Sequence, residues 1–372
     1  MERMTRTTRA LVVPLSMAMV AGCSLVHSLD YLTNGGSLVD GSADDGAGNG
    51  DAQDEPVDAP STSDAPRAPP ERLADADGAT GIALSGSSVY FATPGHVFRL
   101  PKAGGAPQPV YTFVNGGTPD AIGADETGGA FFAHANTLHY VAATALSATQ
   151  VSANAVFCAA GLAVQPDAVY VTDNCSTGRV ARWQRADAGM DYFGAGGGPT
   201  RAGMVVIDGG AYWMSVPDGG VGSVIGATPG GASNTLVADG QLEPRGLARF
   251  GETLYWTTRG TPPDYVDGEL HAKTPESTAS NVSTYARGLH SPRDVVVVGS
   301  HAFVACEGSA AGSDGSIVQV SRQGGDPEVM AEGRPRPAAI DADGQYVYWV
   351  EQGSADGASH GGVLRVPLPP DP

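Results

Sequence analysis

The chain has 372 residues, with 40 acidic against 21 basic side chains and a formal net charge of −19, a balance that argues against nucleic acid as a partner. Its 52 glycines, 27 prolines and 16% charged residues exclude a fold of long helices and point to many short strands joined by tight turns. A chain of this length makes one large domain or two small ones.

Arg3, Arg6 and Arg9 form a basic start, and the apolar run "ALVVPLSMAMV" that follows is too short to span a bilayer. Met1 to Gly22 therefore reads as an export signal. Its end, "VAGCS", resembles a bacterial lipobox, in which a small residue precedes a cysteine. The resemblance implies cleavage before Cys23, lipidation of its thiol and, with Ser24 in place of aspartate, sorting to the outer membrane of a Gram-negative cell. An ordinary cleaved signal, with Cys23 incidental, is the other reading.

Residues 23–69 read as an acidic linker. From Asp30 to Asp77 there are 12 acidic residues against Arg67 and Arg72, so a net −10 of the chain's −19 sits here. Such a segment buries too little apolar surface to offset its ordering entropy and is expected to be a disordered tether. Its aspartates lack the spacing of a calcium loop.

From residue 70 to 369 one pattern recurs. An aromatic anchor appears in "VYFAT" (Tyr90), "AFFAH" (Phe131), "VYVTD" (Tyr170), "AYWMS" (Tyr212), "LYWTT" (Tyr255), "AFVAC" (Phe303) and "VYWVE" (Tyr348), at steps of 41, 39, 42, 43, 48 and 45 residues. Most anchors have an apolar run upstream ("GIAL", "GLAV", "GMVV", "GLAR"), a third short run downstream ("GHVFRLP", "GELHAK", "GSIVQV") and then a glycine turn into a fourth. Four strands per period of about 40 residues is the signature of a propeller blade. The sequence thus predicts an all-β, seven-bladed β-propeller; six or eight blades stay open at Phe131, whose first strand "DAIGAD" is the poorest match. The last repeat stops after its third strand, and "PERLADADG" matches a fourth, so residues 71–75 are expected to close the ring.

The "YWTT", "VYVTD" and "VYWVE" strands resemble those of YWTD, NHL and related extracellular propellers, and of the propeller-like repeat domains of bacterial surface lipoproteins. Across such families the resemblance implies the fold and leaves the function open. Only Asp173 and Glu351 keep the final acid of the YWTD pattern.

Cys158 and Cys175 flank the hairpin "CAAGLAVQPDAVYVTDNC" symmetrically about its turn at Pro166 and Asp167, and export favours oxidation. A Cys158 to Cys175 disulfide is expected. Cys306 ends a second strand without a histidine beside it and reads as a buried small hydrophobe.

The distance from anchor to third strand grows from 7 residues in blades one and two to 10, 12, 15, 14 and 15 in blades three to seven. These loops share a face with the entry to strand one, and long loops on a rigid scaffold carry function. Arg201, Arg245, Arg293 and Arg336 precede strand one in blades four to seven. Two readings stay open for them: a grip on a carboxylate or phosphate, or pairing with loop acids such as Asp218, Asp264, Asp267, Glu307 and Glu351.

"GASHG" matches G-x-S-x-G at Ser359, but it sits in a glycine-rich hairpin, where the strained strand-to-helix turn of a nucleophile is not expected. His360 beside it reads as exposed, and the eight histidines show no zinc spacing. The sequence therefore favours a non-enzymatic binding or scaffolding module, a monomer that touches membrane only through its lipid. Its partner would be an envelope protein, a saccharide or an anionic small molecule. The alternative is a propeller hydrolase or lactonase with one calcium in the channel, to which Asp120, Asp294 and Asp341 near strand one would contribute, chance placement being an equal reading of the three; no other cofactor is expected.

Overall fold

The computed structural model describes residues 67–369, apart from 135, 153–158, 174–178, 195–199, 217–219, 232, 276–281 and 310–311. The export signal, Cys23, nearly all of the linker and both Cys158 and Cys175 lie outside the described residues. Among the described residues, all in the unit spanning Asp64–Pro372, twenty-eight strands form seven four-stranded antiparallel sheets. The protein is a seven-bladed β-propeller, and "DAIGAD" supplies a four-residue first strand to blade two, Ala121–Ala124.

Every aromatic anchor lies in the second strand of its blade. Seven apolar clusters fill the seven interfaces between blades, and the alternation of a strand explains why aromatic residues come in pairs. Tyr255 packs forward with Val304 and Val318 of blade six, while Trp256 packs backward with Met214 and Val224 of blade four. Tyr348 and Trp349 divide in the same way between blades one and six. Both members of each pair are buried core residues.

The ring closes without a covalent link. Glu71–Asp75 is the outer strand of blade seven, paired with His360–Pro367. Arg72 donates to the carbonyls of His360 and Gly361 (2.9 and 2.8 Å), Arg365 pairs with Glu71 (2.8 Å), and Gly361 N–H donates to Asp77 (2.7 Å). The interface between blades seven and one is as apolar as the others, with Phe91, Val350 and Val363 buried in it.

Near the axis the inner strands crowd one another. A Cβ on Gly161 would stand 3.1 Å from that of Met204, one on Gly203 3.0 Å from that of Leu247, and one on Gly246 2.6 Å from the Cα of Asp294. Glycine in strand one is therefore a packing requirement. A second glycine begins strand three and receives the proline that opens strand one of the next blade: Gly222 meets Pro244, Gly268 meets Pro292 and Gly315 meets Pro337.

A Cβ at Gly315 would lie 2.5 Å from Pro337 Cδ and 2.8 Å from two backbone carbonyls, whereas one at Gly344 meets nothing within 4 Å. Gly315→Ala is expected to lose about 1–3 kcal/mol, the cost of overpacking, and Gly344→Ala to lose almost none. Urea unfolding of the two variants checks this, and equal midpoints would contradict the packing described.

Candidate functional site

In blades three to seven the pairing of strand one with strand two slips near its start, between Ala159 and Leu162, Thr200 and Met204, Pro244 and Leu247, Pro292 and Asp294, and Pro337 and Ala339. A bulge leaves a backbone amide without its ladder partner and redirects the local side chain. The threonine of the "YWTT" and "YVTD" strands supplies the missing acceptor. Thr257 Oγ1 accepts from Gly246 N–H (3.0 Å), and Thr172 Oγ1 from Gly161 N–H (2.8 Å). Both threonines are fully buried.

Blades five to seven repeat one further device at this end. Glu243, Ser291 and Arg336 each precede the opening proline with positive φ (45°, 51° and 59°), a conformation that costs non-glycine residues about 1–3 kcal/mol and clusters at functional sites. Their carbonyls accept from the backbone amides of Arg259, Glu307 and Gln352, each four residues after its blade's aromatic anchor. The repeat brings three blades' polar side chains to one rim.

These side chains converge on Glu307, which is 7% exposed. Its carboxylate accepts from Arg336 (2.8 Å) and Arg293 (3.1 Å) on one oxygen and loosely from Arg245 (3.4 Å) on the other. Arg245 and Arg259 share Glu243 (3.4 and 3.3 Å), and Arg259 also donates to Ser291 Oγ (3.1 Å) while lying 3.6 Å over the Tyr265 ring. Burial pushes the Glu307 carboxyl up, but Arg293, Arg336 and Arg245 together outweigh it and hold its pKa below the usual value. Four arginines surround two glutamates. The buried Nε of Arg336 has no partner among the described residues.

Of the sequence-predicted arginines, then, Arg245, Arg293 and Arg336 meet, while the side chain of Arg201 lies outside the described residues. Among the suggested loop acids only Glu307 takes these arginines. Glu351, fully buried, pairs instead with Arg334 (2.6 Å) and accepts from the Trp349 indole (2.8 Å). Asp267 is engaged inside its own loop by Thr261 (2.6 and 2.7 Å), and Asp218 lies outside the described residues. Arg259 and Glu243 are members that sequence reading missed. The position of Arg259, four residues after its anchor and matched by Glu307 and Gln352, was the available signal.

The rim opens on an axial cavity of about 460 Å³, with inner-strand residues of all seven blades in its wall, among them Arg245, Arg293, Asp120, Asp294 and Asp341. Asp294 accepts from Ile340 N–H of the next blade (3.0 Å), and Asp341 from Leu84 N–H of blade one (2.8 Å). The two acids staple neighbouring inner strands. Burial raises each to a pKa of about 6. Among the described residues no three His, Cys, Asp or Glu side chains are grouped to hold a metal ion.

Two residues read as poor nucleophiles are placed as follows. Cys306 is fully buried, and burial pushes its thiol to about 12. Ser359 closes the hairpin between the second and third strands of blade seven, its N–H donating to Ser354 Oγ (2.8 Å), and the exposed His360 lies 3.2 Å from Asp77. The stretch "EQGSADGASHGG" is less loop than its composition implies, because strand two runs to Gly353 and strand three begins at His360.

No family model matches the chain, and no curated protein matches it. Among solved structures it is similar to a chain in a crystal structure of a nidogen/laminin complex, at 16% identity and a TM-score of 0.47 over 72% of this chain and 86% of that one. It is also similar to regucalcin, a calcium-binding protein from Agrobacterium tumefaciens, at 12% identity and a TM-score of 0.47 over 64% of this chain and 86% of that one.

The raised aspartates give a pH signature. Folded, Asp294 and Asp341 hold a proton up to about pH 6, against 3.8 for an ordinary aspartate. Their contribution to stability is fully present below that lower value and is lost as pH rises through 6. Asp341→Asn, which removes the charge, is expected to cost most near pH 4 and least above pH 7. Denaturant unfolding at the two pH values measures it; a cost independent of pH would show that the carboxyl is not shifted.

Proposed function

We propose that the protein is a lipid-anchored envelope protein, held through Cys23 by the acidic linker, whose propeller binds an anionic ligand at the rim formed by blades five to seven. One observation carries the ligand reading: in a chain of net charge −19, Arg245, Arg259, Arg293 and Arg336 gather around Glu243 and Glu307 at the mouth of an axial cavity. Guanidinium groups held in a partly dry site form charge-assisted hydrogen bonds to carboxylate or phosphate, about twice as strong as neutral ones. Glu307 holds the arginines together, and at the rim itself four arginines face two glutamates.

The rim belongs to the face of the long strand-two-to-three loops. Tyr265 ties one such loop to the site through its ring over Arg259 and its carbonyl to Ser291 N–H (2.7 Å). This arrangement suits a small anion or the acidic group of a saccharide, and it equally suits an acidic side chain of an envelope protein that presents one to the mouth.

A thermal-shift measurement on the purified protein with inorganic phosphate, gluconate and galacturonate tests the reading. A ligand at about a thousandfold over its Kd stabilises by about 4 kcal/mol, and Arg293→Ala is expected to abolish the shift. If no anion shifts the midpoint, or if the shift survives in Arg293→Ala, the rim is not the site.

A further inference from the structure

The axial cavity carries both signs of charge. Arg293 and Asp294 are consecutive in sequence, yet both stand in its wall. They stand where the pairing of strand one with strand two slips, between Pro292 and Asp294, a place where the regular alternation of faces is broken. Arg245 joins Arg293 from blade five, and Asp341 joins Asp294 from blade seven.

The aspartates are bonded to backbone amides alone. Asp294 accepts from Val295 and Ile340 (2.9 and 3.0 Å), Asp341 from Ala342 and Leu84 (2.8 Å each). Among the described residues no side chain donates a hydrogen bond to either. An ionised carboxylate has about four lone-pair sites, so each keeps acceptor capacity for the cavity. The two acids also feel one another, since the charge of Asp294 works against ionisation of Asp341.

A simple anion held by the arginines leaves these carboxylates without a partner in the ligand, and a simple cation held by the carboxylates leaves the arginines without one. A molecule carrying both charges satisfies both pairs. We propose that the cavity takes a small zwitterion, an amino-acid-like molecule whose anionic group is held by Arg245 and Arg293 and whose ammonium group is held by Asp294 and Asp341. This rests on the reading of the rim as an anion site and adds the second charge. The cavity, at about 460 Å³, falls in the size range of small-molecule sites.

Titration calorimetry on the purified protein decides it, with ω-amino acids from glycine to 6-aminohexanoate set against the plain carboxylates of equal length from acetate to hexanoate. At one chain length or more the amino acid is expected to bind at least about tenfold more tightly than its carboxylate partner. Asp341→Asn is expected to remove that advantage without weakening the plain carboxylate. If the carboxylates bind as well as the amino acids at every length, the zwitterion proposal is overturned and the anion site stands. If neither series nor phosphate binds, both readings fall. The wild-type comparison decides by itself should Asp341→Asn fail to fold.

Discussion

Seven inner strands must converge on one axis, and the crowding this causes shapes the rest of the molecule. Gly246 has no room for a Cβ and Gly161 and Gly203 have only tight room, so strand one gives up side chains where neighbouring backbones meet. In blades three to seven it also slips its pairing there, and the amides so freed in blades three and five are taken by buried threonines of strand two. The threonine of the repeat is thus a hydrogen-bonding part of the ring, while the aromatic pair ahead of it seals the interfaces on either side.

The same constraint builds the candidate site. Arg245 and Arg293 both stand in the cavity wall, at the slipped starts of their strands, where the regular alternation of faces is broken. Positive-φ residues and prolines then fix the entry of strand one in blades five to seven at equivalent points, which is why side chains from three blades reach one glutamate. Lone buried charges are expensive, and a buried pair broken by removing one partner typically costs about 3–5 kcal/mol. Glu307 shares its charge among three guanidinium groups that already have partial access to water, so three arginines are tolerated around one buried carboxylate.

Much of the fold was legible because it repeats. The anchors from Tyr90 to Tyr348 recur at nearly one period, and the seven-bladed reading they gave is the architecture found. The site was less legible because it does not repeat. Arg336 precedes its proline whereas Arg245 and Arg293 follow theirs, and only three-dimensional closure shows that all three reach Glu307. Arg259 and Glu243 looked like ordinary loop charges. Glu351, the acid kept from the YWTD pattern, was offered as a partner for the strand-one arginines; it is fully buried and held by Arg334 and Trp349, because the end of strand two in blade seven faces the outer strand of blade six. Asp294 and Asp341 were offered as calcium ligands or as chance placements; in the structure each accepts from the amide of a neighbouring blade's inner strand.

The central claim is that the inner strands of blades five and six present Arg245 and Arg293 as an anion-binding mouth on the propeller axis. Anomalous diffraction from crystals of the protein soaked in selenate tests it most directly, since selenium marks the anion's position without reference to any assumed ligand. A peak at the cavity mouth within hydrogen-bond distance of both arginines is the predicted result. Selenate found only on the outer strands, with the mouth empty, would contradict it.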